Sequence, residues 1–164
     1  MISGRDELGP WMTAHPGFDK IDSTGSTQTG KRVLESAAAG VKRVTLELGG
    51  NDTGIVLKDA DPEKIAKALF ESMFRHNGQA CMSIKRLYVH DAIYSKLTKA
   101  LVAYAGQLKT GDGFDPNTSF GPVQNRLQYE RLQATWKQIL ESGSSILFQG
   151  KVPQGSAGSI FRSP

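Results

Sequence analysis

The chain has 164 residues, 38% hydrophobic and 22% charged, the balance of an ordinary soluble globular protein with length enough for one sizeable core. Its net charge of +4 is modest, and acidic and basic residues alternate instead of forming the clustered basic face and interleaved aromatics of a nucleic-acid binder. No run approaches the ~20 apolar residues of a membrane helix, Met1 to Glu7 carry no apolar signal core, and a single cysteine cannot close an internal disulfide, so a reducing cytoplasm is the expected compartment.

A short strand around Ile21 is predicted to run into Ser23-Thr24-Gly25-Ser26 and then a helix through Val33 to Ala39, ended at Gly40. Arg43 to Leu48 reads as a strand closed by Gly49-Gly50, Asn51-Asp52 as a turn, and Gly54 to Lys58 as a second strand. Asp61 is placed to cap a helix with Pro62 at its first position, and Ile65, Leu69, Phe70, Met73 and Phe74 give that helix one apolar face. The helix is expected to end near Asn77-Gly78. Lys85 to His90 reads as a strand, and Ile93 to Leu108 as a long amphipathic helix capped by Asp91. A turn-rich connector from Gly111 to Pro122 leads to a last helix from about Asn125 to Glu141, with Leu132, Trp136, Ile139 and Leu140 inward. Residues 151–164, rich in Gly, Pro and Ser, are expected to form an irregular tail. Alternating strands and helices imply an α/β layered fold with a largely parallel sheet.

Three segments can carry chemistry. A strand that enters Thr24-Gly25-Ser26 and then a helix leaves N–H groups free at the helix start, which suits a phosphate; an ordinary N-cap by Ser26 or Thr27 explains the same residues. Gly25 to Lys31 imitates a P-loop, but Arg32 stands where the Mg²⁺-binding Ser or Thr belongs, which argues against a nucleoside triphosphatase. Glu47 ends an apolar strand beside two glycines, and two readings stand side by side: a solvated strand-end carboxylate, or a cleft-facing one suited to act as a general base. Cys81 follows a helix in a Gly-containing loop, an accessible place for a thiol nucleophile, although free cysteines also serve as small buried apolar residues. His76 would supply the base of a Cys-His hydrolase, but no orienting Asn or Asp is placed with it. His15 and His90 do not cluster with it, so no metal site is expected.

Taken together, Leu46-Glu47-Leu48-Gly49-Gly50-Asn51 and Gly78-Gln79-Ala80-Cys81 resemble the glutamate and cysteine signatures of the aldehyde dehydrogenase superfamily, at the separation that family uses. Asp59-Ala60-Asp61, Arg86 to Val89 and Gly121-Pro122-Val123 follow in the family's order. The resemblance runs from Ile2 to about Gly150 and implies a partial aldehyde dehydrogenase-like fold: residues 1–50 as the end of a Rossmann-like dinucleotide-binding domain, 51–150 as part of the catalytic (thiol) domain, and 151–164 as the tail.

The resemblance further implies that an aldehyde is oxidised to a carboxylic acid with NAD or NADP. Cys81 would be the thiol that forms the thiohemiacetal and thioester, and its N–H half of the oxyanion site. Glu47 would be the base for the hydrolytic water. Thr24, Gly25 and Ser26 would lie near the adenosine and pyrophosphate, Leu48 and Gly49 near the nicotinamide, and Gln128 near the adenine ribose. Two residues depart from the family pattern: Ser23 replaces an aromatic, and His76 stands where an Asn is usual. Segments that complete the oxyanion hole, grip both riboses and form the oligomer are missing by this comparison, so the chain alone is expected to be inactive or nearly so. The alternative is a non-catalytic module that docks to a full-length relative through an exposed sheet edge. The partners expected are a small-molecule aldehyde and a homo- or hetero-oligomer, with no nucleic acid and no membrane.

Overall fold

The computed structural model describes residues 2–4 and 7–150, so the tail expected over 151–164 lies outside the described residues. The element order is α1 (Leu8–Ala14), β1 (Lys20–Thr24), α2 (Thr27–Ala38), β2 (Arg43–Glu47), β3 (Thr53–Val56), α3 (Pro62–Phe74), a 3₁₀ turn (Arg75–Gly78), β4 (Arg86–Val89), α4 (Asp91–Ala105) and α5 (Arg126–Glu141). The chain divides into two compact units at Asn51/Asp52.

In the first unit β1 and β2 pair in parallel, Lys20 opposite Arg43 and Thr24 opposite Glu47. The connection is α2, as a parallel pair requires of its crossover. Ser26 caps α2, its hydroxyl accepting from the Thr29 N–H at 3.1 Å. The helix buries Gly30, Val33 and Ala37. Gly30 permits its close approach to the end of β2, since a Cβ there would stand 2.9 Å from Leu48 Cδ2 and 3.4 Å from Leu46 Cδ1. The chain leaves α2 through Val41, a β-branched residue at φ 51°, with the Val41 N–H donating to Ala38 O and the Lys42 N–H to Ala37 O. Helix α1 has no counterpart in the sequence reading. Gly9-Pro10 looks like a breaker there, yet proline is tolerated in a first turn because the N–H it lacks would have no partner within the helix.

In the second unit β3 and β4 pair in parallel, Thr53 with Arg86 through Val56 with Val89. Helices α3 and α4 pack on each other, and the core cluster is Val56, Ile93 and Leu97, backed by Ile65, Leu69, Leu87, Val89 and Leu101. Leu97 has no exposed surface; burying such a side chain stabilises by roughly 1.5–3 kcal/mol. Asp61 caps α3, accepting from the Glu63 N–H at 3.2 Å, with Pro62 at the first position.

Three sequence expectations need correction. The cap of α4 is His90, whose Nδ1 accepts from the Ala92 N–H; Asp91 is the first helical residue, where its charge still suits the positive end of the dipole. Helix α3 stops at Phe74, and the next three residues after Arg75 turn left-handed. In α5, Leu132, Ile139 and Leu140 are exposed and Trp136 is half-buried, so the apolar stripe of that helix faces no core among the described residues. Both strand pairs are parallel, which makes this an α/β fold with helices between the strands.

Candidate functional site

At the carboxyl end of the β1–β2 pair the register sets Thr24 beside Glu47, and the Gly25 N–H donates to the Glu47 carbonyl at 3.0 Å. Ser26 follows as the α2 cap, and Leu48 and Gly49 continue from Glu47. Thr24, Gly25, Ser26, Glu47, Leu48 and Gly49 are therefore gathered in one place, at the carboxyl end of parallel strands and the start of a twelve-residue helix. In open α/β sheets ligands bind outside the carboxyl ends of strands, and helix starts favour anions. The Glu47 side chain is exposed. The P-loop imitation is settled by the same geometry: Thr27 to Gly30, loop residues in a P-loop, are already helical.

The cysteine belongs to the second unit. Its approach is a left-handed turn, with φ 49° at His76, 60° at Asn77 and 72° at Gly78. Non-glycine residues in that region cost about 1–2 kcal/mol each, and hydrogen bonds hold them there. The Asn77 amide donates to the carbonyls of Gly121 at 2.9 Å and Pro122 at 3.2 Å. Gln79 Nε2 donates to His76 O, and Gln79 Oε1 accepts from the Gln124 N–H. The turn before the thiol is thus stitched to the 121–124 segment. A broad depression of about 910 Å³ opens beside it, with Phe70, Phe74, Tyr104 and Phe120 as its aromatic wall and Glu71, Arg75 and His76 as its polar side. The Tyr104 hydroxyl donates to Glu71 at 2.9 Å, a bond that raises the tyrosine above its ordinary titration range.

Cys81 is free and exposed. The loop after it is fixed by Lys85, whose ammonium donates to the carbonyls of Cys81 at 2.6 Å, Ser83 at 2.8 Å and Ala80 at 3.3 Å, and to Asp52 Oδ2 at 3.1 Å. That pairing holds the Asp52 carboxyl below its ordinary range. Ser83 is buried, and its hydroxyl has no hydrogen-bond partner among the described residues. The His76 ring is exposed, and the hydrogen bonds at His76 among the described residues use its carbonyl, so none of those residues engages the ring as the base of a Cys-His pair. Gln128 lies half-buried in the first turn of α5, its N–H donating to the Asn125 cap at 2.9 Å. Among the described residues no three His, Cys, Asp or Glu form a group able to hold a metal ion, and no helix is long and apolar enough to cross a membrane. Lys85 escaped sequence reading because its acceptors are main-chain oxygens and a carboxylate distant in sequence, which no side-chain pattern announces.

Parallel strands running into a capped helix start in one unit, and an exposed thiol in a loop held by Lys85 in the other, define the class of this chain as α/β. A profile of the aldehyde dehydrogenase family matches residues 1–164, and the chain belongs to that family. It is 41% identical over 155 residues to a probable aldehyde dehydrogenase of Pseudomonas sp, covering 94% of this chain and 32% of the relative. Among solved structures, 3,6-anhydro-L-galactose dehydrogenase in complex with NAP superposes with a TM-score of 0.88 at 30% identity, over 98% of this chain and 34% of that one. A variant of aldehyde dehydrogenase C from Pseudomonas syringae, solved with NAD+ and octanal, gives 0.86 at 32% identity, over 94% of this chain and 32% of that one. The chain spans about a third of the length of the relatives it matches.

Proposed function

We propose that this chain carries the thiol and general-base residues of an NAD(P)-dependent oxidation of an aldehyde to a carboxylic acid. The observation that carries the reading is the exposed Cys81 in a loop held by Lys85, in a chain that belongs to the aldehyde dehydrogenase family. Residues 1–50 are the end of a dinucleotide-binding domain and 51–150 part of the thiol domain. The helix start at Ser26, beside Thr24 and Gly25, fits a pyrophosphate; by the family resemblance Leu48 and Gly49 serve the nicotinamide and Gln128 the adenine ribose. A nicotinamide bound here would supply the hydride acceptor. Cys81 Sγ bonds to the aldehyde carbonyl carbon and holds the substrate as a thiohemiacetal. Glu47 takes a proton from the water that later cleaves the thioester to release the acid. A reducing compartment such as the cytoplasm keeps the thiol available.

The test separates the thiol from the whole reaction. With 4-nitrophenyl acetate the purified chain releases a burst of one equivalent of 4-nitrophenolate, absent in Cys81→Ala, and Glu47→Gln keeps the burst but slows the steady release that follows. A wild-type chain with no burst overturns the nucleophile assignment. NAD(P)H formation from aldehydes by these 164 residues alone stays near background; clear turnover that Cys81→Ala abolishes would refute that part.

A second reading is favoured by one observation. Ile55 and Tyr88 are paired in register on β3 and β4 and are 72% and 57% exposed. Parallel sheets are normally covered on both faces, so a module that docks through this sheet to a full-length relative also fits. Co-purification with such a relative, lost on Ile55→Lys, would establish it; a monomer at all concentrations in the presence of the relative would remove it.

A further inference from the structure

The Cys81 loop contains an arrangement that the reaction scheme does not use. Three acceptors on one short stretch of backbone, the carbonyl oxygens of Ala80, Cys81 and Ser83, converge on the Lys85 ammonium. The Ala80 carbonyl also accepts from the Ser83 N–H at 3.2 Å, which closes the stretch into a tight turn. The far end of the stretch is anchored: the Ile84 N–H donates to Ser72 O on α3, and the Lys85 and Arg86 N–H groups that follow donate to the Asp52 carbonyl. Asp52 Oδ2 supplies the fourth acceptor and balances the charge, so the three ammonium donors are fully engaged.

Peptide planarity converts this gathering of carbonyls into a statement about donors. There is no cis bond among the described residues, so each carbonyl is opposed by the N–H of the following residue. With the Ala80 and Cys81 carbonyls turned to Lys85, the N–H groups of Cys81 and Met82 are turned the other way. Neither has an acceptor among the described residues. Two adjacent uncommitted N–H groups, one of them on the nucleophile's own residue, are the donor set that stabilises an oxyanion formed on attack.

We propose that Lys85 is a positioning residue for acyl chemistry at Cys81: its ammonium holds the loop carbonyls on one side and thereby presents the Cys81 and Met82 N–H groups together as oxyanion donors. The proposal rests on the reading of Cys81 as the nucleophile. In the step concerned, the Sγ electron pair forms the carbon–sulfur bond, the carbonyl π pair moves onto oxygen, and both N–H groups receive that oxygen. With 4-nitrophenyl acetate the pair then returns to re-form the carbonyl and 4-nitrophenolate leaves. Alkylation by iodoacetamide displaces iodide at a saturated carbon, forms no oxyanion, and reports only the thiolate and its access.

The experiment compares the two reactions in the full chain and in Lys85→Met, which keeps the side-chain stem. Removal of one oxyanion donor typically costs about 10²–10³ in rate, and misplacement of two should cost at least about tenfold. Acylation of Cys81 should fall by that factor while alkylation at the same pH stays within about threefold. In Lys85→Ala, added ethylammonium should recover part of the acylation rate and tetramethylammonium, which has no N–H, should recover none. Equal losses in both reactions, or no loss in either, overturn the proposal. If the wild-type chain is not acylated above Cys81→Ala, the nucleophile assignment is what has failed. Amide resonances then decide the positioning role: Lys85→Met must shift and speed the exchange of the Cys81 and Met82 amides while Val89 and Leu97 stay unchanged, and unaltered loop amides overturn it.

Discussion

Asn77 does two jobs in the turn before the thiol, and substitutions can separate them. Its amide makes two hydrogen bonds, to Gly121 O and Pro122 O, and its backbone sits at φ 60°. Both Asn77→Ala and Asn77→Gly lose the two bonds, about 1–3 kcal/mol in total at 0.5–1.5 each. Alanine must also occupy the left-handed region, at about 1–2 kcal/mol. Glycine escapes that cost but gives up about 0.5–1 kcal/mol to the freer unfolded chain. The expected order is wild type above Asn77→Gly above Asn77→Ala, with the two variants separated by about 0.5–1 kcal/mol. Exchange of the Leu97 and Ala100 amides, buried in α4, reads the stability of this unit. A glycine variant as unstable as the alanine variant, or more so, would refute the assignment of strain to this turn.

Two further outcomes follow from the geometry. Val41 is 91% exposed at φ 51°, so Val41→Gly loses no packing and should stabilise by about 0.5–1 kcal/mol once the glycine entropy is deducted; a fall in Tm by calorimetry would contradict it. Lys85 holds the folded Asp52 carboxyl below its ordinary range, so its stabilisation is present above the unfolded value and is lost as pH falls through the folded one. The Tm of wild type should exceed that of Asp52→Asn at neutral pH and approach it in acid, and a gap that is constant with pH would exclude the charge effect.

Local signals made much of the fold legible. Asp61-Pro62 and Ser26 sit where cap chemistry predicts, because capping is decided within a few residues. The parallel pairing of both sheets was legible from alternation of strand and helix. What escaped was set by partners far away in sequence or by local conflict. The α1 helix was hidden by Gly9-Pro10, and His90 took the cap of α4 from Asp91. The apolar residues of α5 have helical spacing, but spacing does not say what covers them, and in this chain most stay exposed. At the site, Cys81 and Glu47 stand out as residue types, whereas the Lys85 cage does not, because its acceptors are carbonyl oxygens that every sequence possesses.

The backward-handed turn from His76 to Gly78 also bears on which amino acids this stretch can accept. Left-handed backbone admits a short alphabet: glycine at no cost, and among the rest asparagine, aspartate and histidine more readily than others. His76, at φ 49°, occupies the position where the family resemblance expects asparagine. Both belong to that alphabet, so the exchange keeps the handedness while changing the chemistry. A histidine five residues before a thiol invites an acid–base reading, yet its place here is accounted for by chirality, and variation at this position should follow tolerance of positive φ ahead of ability to move a proton.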